Sequence, residues 1–469
     1  MATEPCDIAV LGAGPAGAAA ALGLAALGYA VTVIAAPDPP RARAARESFS
    51  ARVVEALRGL GLRDALAAVE APGRRHVCWA GAERELPGEA QVERSGFDAG
   101  LRADLARNGV RVVRTEAARI EASADAVRVP LASGGALAAR FAIEARGRAA
   151  PSGGARERGP ETLCLVQRWR ATRRHAAPRI AIASLPDAWL WLADDGAGGI
   201  ALQLALEARS VPARAQLSAR IDSALRADAF CRELLGDAAP EGEPIARAAT
   251  PVLDGAPIAE RALRVGDAAL AVDPLSGNGV FQALSSALVA PAVINTLLRA
   301  PARAALARSF YAERARDLFE RFARVSRDFY ALGAAHHGGT FWETRAAWPE
   351  PANDNRTAGA SARVAPLAIA TRPVVREGLI EAHEVVVTAE RPLGTWHVAG
   401  VELAPLLRVL AQSSEASGPK RAAQETRALA ALPELAREPV REWLRAHRTG
   451  VDALVADPSL QRSRRSGPA

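Results

Sequence analysis

The sequence predicts an α/β fold: a Rossmann-like nucleotide-binding domain interleaved with an antiparallel-sheet domain, followed by a small C-terminal α+β unit. Three observations predict it. Residues 6–17, C-D-I-A-V-L-G-A-G-P-A-G, read as an apolar strand, a tight turn and a helix start, and a second strand-like run at 30–34 follows one helix length later. Strand, helix, strand around G-x-G-x-x-G is the order of a dinucleotide site. Four strand-length segments at 161–169, 179–184, 188–193 and 199–206, separated by turns, describe a largely antiparallel sheet. Past a polar linker at 353–361 come strands near 374–388 and 394–398, a helix at 403–410, a Ser/Gly linker at 413–419 and two helical segments ending near Ala456.

Each glycine of the first motif has its own task. Gly12 permits the turn, Gly14 lets the backbone approach a pyrophosphate, and Gly17 lets the helix pack closely on the strand. From Pro15 and Ala16 onward the helix start aims free N–H groups and its positive dipole end at phosphates. The acidic residue expected after the second strand is replaced by Ala35 and Ala36, which leaves Asp38 as the nearest carboxylate for a ribose hydroxyl. The loop at 41–50 is rich in arginine. Arg46 and its neighbours can neutralise pyrophosphate charge there, or form a solvated loop.

A helix-period run at 53–62, an alternating hairpin at 75–91 carrying Trp79, and a helix at 92–105 follow. Strands at 110–113, 119–129 and 139–144 lead into E-A-R-G-R at 144–148, where an acid before Gly147 suits a second backbone approach to a cofactor. Within the antiparallel segment, Trp189 and Trp191 share one face at period two. They serve as core or face a ligand cavity. Residues 211–235 return to helix period. The second chemical stretch is 263–290: a short strand ends at Gly266, Asp267 is placed to accept hydroxyls of a sugar or ribityl chain, and Asp273-Pro274 makes a turn. Gly277, Asn278 and Gly279 then open a long helix without bulk in the way of a planar ligand. A helix at 302–331 precedes a loop with His336, His337, Trp342 and Trp348, where no spaced carboxylate or cysteine completes a metal set.

Composition narrows the function classes. The 469 residues carry 59 basic and 52 acidic side chains, a net charge of +7, in mixed runs with no basic stripe among aromatics. That pattern argues against a nucleic-acid surface. Four scattered cysteines, at 6, 78, 164 and 231, form no C-x-x-C and fit a reducing compartment. The chain enters its first strand within a few residues of Met1, without room for a signal peptide, and its apolar stretches at 16–31 and 287–298 are too short or too interrupted to span a bilayer. These readings predict a cytoplasmic protein.

Taken together, the motifs resemble the flavoprotein monooxygenase superfamily that contains the aromatic hydroxylases and the flavin-dependent tryptophan halogenases. The resemblance rests on the Gly12, Gly14, Gly17 turn, on E-A-R-G-R, which looks like the family's D-A-T-G-R, and on G-D-A at 266–268 with D-P-L-S-G-N-G after it. V-E-R-S-G-F-D-A-G-L looks like the family helix whose arginine or glutamine touches FAD, here Arg94, and R-E-S at 46–48 resembles the halogenase-side G-E-S. Within the superfamily the likeness is nearest to the monooxygenases that hydroxylate a peptidyl tryptophan during biogenesis of the tryptophylquinone of quinohemoprotein amine dehydrogenase. D-P-L-S-G-N-G, the R-D-F-Y that ends the long helix, and the appended C-terminal unit suggest it.

The resemblance implies FAD, molecular oxygen and, as electron donor, NAD(P)H or a separate reductase. It implies hydroxylation of an electron-rich aromatic ring through a flavin C4a-hydroperoxide, with Pro274, Gly277 and Gly279 at the reaction face. The implied domains are 1–74, 92–160 and 250–330 for FAD, 75–91 and 161–249 for the substrate, 352–456 for the C-terminal unit, and a disordered tail at 457–469. Two departures bear on chemistry. The W-x-W at 189–191 is followed by Ala193 and Asp194 in place of the halogenase isoleucine and proline, and Lys420 is the only lysine, whereas halogenases rely on an active-site lysine. A tryptophan within a small protein or peptide is the implied substrate. A small-molecule aromatic hydroxylase, a flavin-dependent reductase and a non-enzymatic flavoprotein assembly factor remain the alternatives.

Overall fold

The computed structural model describes residues 6–37, 46–350, 367–411 and 419–455. The expectations for Asp38, for the linkers at 353–361 and 413–418, and for the tail at 457–469 lie outside the described residues. The chain divides into two compact units, 1–298 with 311–353, and 299–310 with 354–469.

The first unit is organised by its first strand. Cys6–Leu11 pairs in parallel with Val31–Ala35 on one side and with Ala136–Glu144 on the other. Arg111–Arg114 continues the sheet beyond Val31–Ala35, and Ala262–Arg264 continues it beyond Ala136–Glu144, both in parallel. The central strands are buried apolar runs because the sheet is covered on both faces. Leu11 stands in register with Glu144, and Glu144 with Arg264. The glycine turn, E-A-R-G-R and G-D-A therefore leave from the same carboxyl edge, where ligands of such sheets bind. The single strand expected at 119–129 is instead a hairpin, Glu121–Ala122 with Val127–Pro130, folded at Ser123, whose N–H donates to the Ala126 carbonyl at 2.9 Å.

The chain crosses to a second sheet and back through paired strands, Arg156–Arg158 and Val252–Asp254. That second sheet has seven strands and includes the hairpin Arg74–Trp79 with Ala82–Pro87. Its pairings are antiparallel except for Arg74–Trp79 with Arg179–Leu185, which is parallel. Its two faces differ as period two requires. Leu190 and Leu192 pack with Leu217–Ala227 and Ala229–Leu235, while Trp189 and Trp191 join Trp79, Tyr330, Phe341 and Trp342 in an aromatic cluster. The helix-period stretch 211–235 breaks at Asp228, whose carboxylate caps the second helix by accepting from the Cys231 N–H at 2.8 Å.

Two further expectations are corrected. His336 and His337 do not lie in a loop: Ala304–His337 is one helix of 34 residues, and Thr340–Ala346 is another. The second turns its Trp342 inward until it is fully buried, and its indole N–H donates to the carbonyls of Leu185 and Pro186 at 3.0 and 3.1 Å. The His337 ring stacks on that tryptophan at 5.3 Å. The apolar stretch at 287–298 belongs to a longer helix, Gly279–Arg299, which by length and composition alone could cross a bilayer. Here its Ala287, Ala290, Val293 and Ile294 are buried in the unit's core.

The second unit has its own core of Leu403, Leu407, Leu410, Val440, Leu444 and Val451. A hairpin, Ala368–Arg376 with Leu379–Val387, precedes helix Leu403–Leu410, and three helices, rather than the two expected, complete it: Pro419–Ala430, Glu434–Ala446 and Arg448–Val455.

Candidate active site

Three loops meet at the carboxyl edge of the parallel sheet. In the first, Gly12 has φ +115°, and a β-carbon on it would collide with the Ala145 carbonyl. One on Gly17 would collide with the Gly12 carbonyl, whereas one on Gly14 would meet no atom of the described residues within 4 Å. Packing thus requires Gly12 and Gly17, while Gly14 faces open space. Helix Pro15–Ala26 begins there with Pro15 at its head, no acidic residue in its first turn and no side-chain cap. Among the described residues its first-turn amides have no side-chain acceptor, which leaves them for an anion.

The second loop is E-A-R-G-R. Glu144 is buried and grips Arg146 at two points, 2.9 and 2.6 Å, and Arg146 also donates to the Ala117 carbonyl at 2.6 Å. This acid therefore builds the loop. Arg148 donates to the Thr250 carbonyl at 2.6 Å and lies 3.4 Å from the Asp267 carboxylate.

The third loop begins at Gly266, where an added β-carbon would lie 2.9 Å from Cβ of Ala16, so G-D-A abuts the start of the first helix. Asp267 sits in a recess with 35% of its side chain still open. The recess pushes its carboxyl above the ordinary range, and Arg148 opposes the push. Asp273 is buried. It accepts from the Leu275 N–H at 2.9 Å and from the Tyr330 hydroxyl at 3.2 and 3.3 Å, and the Tyr330 oxygen in turn accepts from Nε1 of Trp189 at 3.1 Å. Burial pushes its carboxyl up to about 6, against the opposing pull of the Leu275 N–H, Arg345, Tyr330 and Arg148. Pro274 starts the short turn that this carboxylate caps. Gly277 is left-handed at φ +62°, and β-carbons at Gly277 and Gly279 would meet nothing within 4 Å. The Asn278 side-chain amide turns back to the Ser276 carbonyl and so braces the turn.

Two arginines near these loops are held by pairs of carboxylates. Arg94 donates to Glu47 at 2.7 Å and to Asp98 at 3.0 Å. Burial weakens its charge, but those two carboxylates more than offset this and hold the guanidinium ionised. Arg46 is also held by carboxylates. Its guanidinium bonds Glu70 at 2.6 Å and Asp195 at 3.2 Å, and only 11% of the side chain is exposed, so it ties its strand to the second sheet. Trp189 and Trp191 are core, each at most 9% exposed. Tyr330 was visible in sequence only as the end of R-D-F-Y. Arg345, fully buried, bonded to Glu207 at 2.8 Å and lying 4.2 Å over the Phe341 ring, gave no sequence signal.

The residues present fit an FAD. Gly14, Gly277 and Gly279 leave a cradle that β-carbons could enter freely, bounded by an uncapped helix start and the Asp267 carboxylate. Among the described residues no group of three or more His, Cys, Asp or Glu could hold a metal ion.

Comparison with known proteins agrees with this geometry. The profile of the family described as "Lycopene cyclase protein" matches residues 7–172. A solved structure of the peptidyl tryptophan dihydroxylase QhpG, essential for tryptophylquinone cofactor biogenesis, is 43% identical, with a TM-score of 0.76 over 94% of this chain and 99% of that one. The flavin-dependent halogenase CmlS shares the fold, at 19% identity and a TM-score of 0.76 over 96% of this chain and 95% of its own. The 3-demethoxyubiquinol 3-hydroxylase of Escherichia coli (strain K12) is 39% identical over 105 residues, which span 19% of this chain and 26% of that protein.

Proposed function

Because this chain belongs to the FAD-dependent monooxygenase family of which the peptidyl tryptophan dihydroxylase is a member, we propose that its substrate is a tryptophan held within a polypeptide, hydroxylated on its indole ring. The observation that carries this reading is 43% identity sustained over nearly the whole of both chains. The second unit carries no such weight, since the fold of a halogenase also spans 96% of this chain. Lysine is absent from residues 1–419, which favours oxygen insertion over halogen transfer.

When bound and reduced, FAD supplies the activation of oxygen that lets one oxygen atom pass to an electron-rich ring. The chain's residues provide the rest. The first-turn amides of Pro15–Ala26 would hold the pyrophosphate, and the Asp267 carboxylate would accept hydroxyls of the ribityl chain. The positive start of helix Gly279–Arg299 would favour negative charge on a reduced flavin held beside it. The aromatic cluster behind Trp189 excludes water from that side. We assign reduction to NAD(P)H or a separate reductase, and place the reaction in the cytoplasm, where the free cysteines stay reduced.

The test is mass spectrometry of a tryptophan-containing carrier polypeptide after incubation with the holoprotein, a reductant and oxygen. A gain of one or two oxygen atoms on tryptophan is expected. Turnover of free indoles or phenols with the polypeptide untouched would replace this reading with a small-molecule hydroxylase.

A further inference from the structure

The Tyr330 hydroxyl joins three elements distant in sequence. It donates to the Asp273 carboxylate at the head of the 274–276 turn and accepts from Trp189 on the second sheet, and the three residues are 2%, 4% and 4% exposed. The local turn does not require this. Asp273 already accepts from the Leu275 N–H, which caps the turn by itself, and a phenylalanine at 330 would fill the same space. Burying a carboxylate and a phenol together is unfavourable unless each satisfies the other. Their placement says what the arrangement achieves. The turn that Asp273 heads leads to Gly277 and Gly279, one wall of the FAD cradle, and Trp189 stands on the aromatic face of the neighbouring sheet.

We propose that Tyr330 is a positioning residue for the oxygenation: its hydroxyl ties the carboxylate heading the 273–279 turn to the aromatic face of the second sheet, and thereby sets where that turn stands against the flavin ring. The tie has a charge sense. An ionised Asp273 accepts hydrogen bonds from the Tyr330 hydroxyl and the Leu275 N–H together, whereas a protonated one becomes a donor itself. The groups facing this carboxyl are Tyr330, Arg345, Arg148 and the Cys164 thiol. Both arginines and the Tyr330 hydroxyl favour the ionised form, and burial opposes it.

The experiment is the absorbance spectrum of bound FAD in the full-length holoprotein, titrated from acid to neutral pH without substrate. The wild type is expected to show a transition near the Asp273 pKa of about 6, and Asp273→Asn to abolish it. Tyr330→Phe removes a donor to the charged form, so the transition should move to higher pH by about one unit. Trp189→Phe removes only the donor behind it and should shift the transition the same way by less. With reductant and oxygen, again without substrate, Tyr330→Phe should release hydrogen peroxide faster than the wild type. A merely structural Tyr330 would lower the melting temperature and leave the rate of peroxide release where it is, and that result overturns the proposal. A wild-type spectrum that is flat with pH, or a transition that survives in Asp273→Asn, also overturns it. Should Tyr330→Phe not fold, an unshifted transition in Trp189→Phe has the same force. No polypeptide substrate enters this measurement, so its failure is separate from failure of the peptide reading.

Discussion

Gly17 lies so close over the carbonyl oxygen of Gly12 that no β-carbon fits between them. The same turn leaves Gly14, midway between them, facing open space. The two positions therefore separate folding from cofactor binding within one motif.

Gly17→Ala should destabilise the protein by about 1–3 kcal/mol, because helix and turn must move apart. Gly14→Val should cost no more than about 1 kcal/mol, since the position is extended and open, yet weaken FAD binding roughly a hundredfold by occupying the phosphate approach. Thermal melting of the apoprotein and FAD titration check the pair. Equal effects of both substitutions on binding and melting would contradict the assignment.

Arg46→Ala should act on stability more than on the cofactor. It removes the ion partner of Glu70, which is 34% exposed, and of Asp195, which keeps the Ala197 and Gly199 N–H groups, at a cost of about 1–3 kcal/mol. Melting temperature should drop while FAD affinity measured below that temperature stays near wild type. A selective loss of FAD affinity would return Arg46 to the phosphate site.

Asp273 makes stability depend on pH in a stated direction. Its folded pKa of about 6 lies above the ordinary 3.8, so the unfolded chain releases this proton more readily. The stabilising contribution is whole below 3.8 and is lost as pH rises through about 6, amounting to about 3 kcal/mol by neutral pH. Relative to Asp273→Asn, the wild-type apoprotein should lose stability by that order between the two limits. Parallel pH profiles for the two proteins would refute the assignment.

Halide should leave no mark on the product. With Lys420 the only lysine, chloride or bromide added to an assay with reduced flavin should yield no halogenated tryptophan by mass spectrometry. A halogenated product would show that lysine is dispensable for that chemistry here.

Much of the cradle was legible in the sequence because its motifs are local. G-A-G-P-A-G, G-D-A and D-P-L-S-G-N-G each encode a turn through residues within a few positions of one another, and the structure finds the tight approaches at Gly12 and Gly17 and the open ones at Gly14, Gly277 and Gly279. The histidine-bearing segment read as a loop because Gly338 and Gly339 interrupt its period. In the structure they only separate two helices, and the second is held by the burial of Trp342, a tertiary contact that overrides local punctuation. The ion pairs of Arg46 are invisible in the sequence because its partners, Glu70 and Asp195, lie 24 and 149 residues away.

By itself, then, the sequence determined the α/β frame, the glycine turns and their suitability for FAD, since strand period, helix start and glycine spacing are properties of short stretches. Only the tertiary structure decided that Arg46 braces two sheets, that Arg345 is buried beneath the aromatic cluster, and that Tyr330 links Asp273, 57 positions away, to Trp189, 141 positions away. A buried hydrogen bond between such residues exists only once three separate elements have packed, and the energy that selects it, relief from burying an unpaired polar group, has no counterpart in the extended chain.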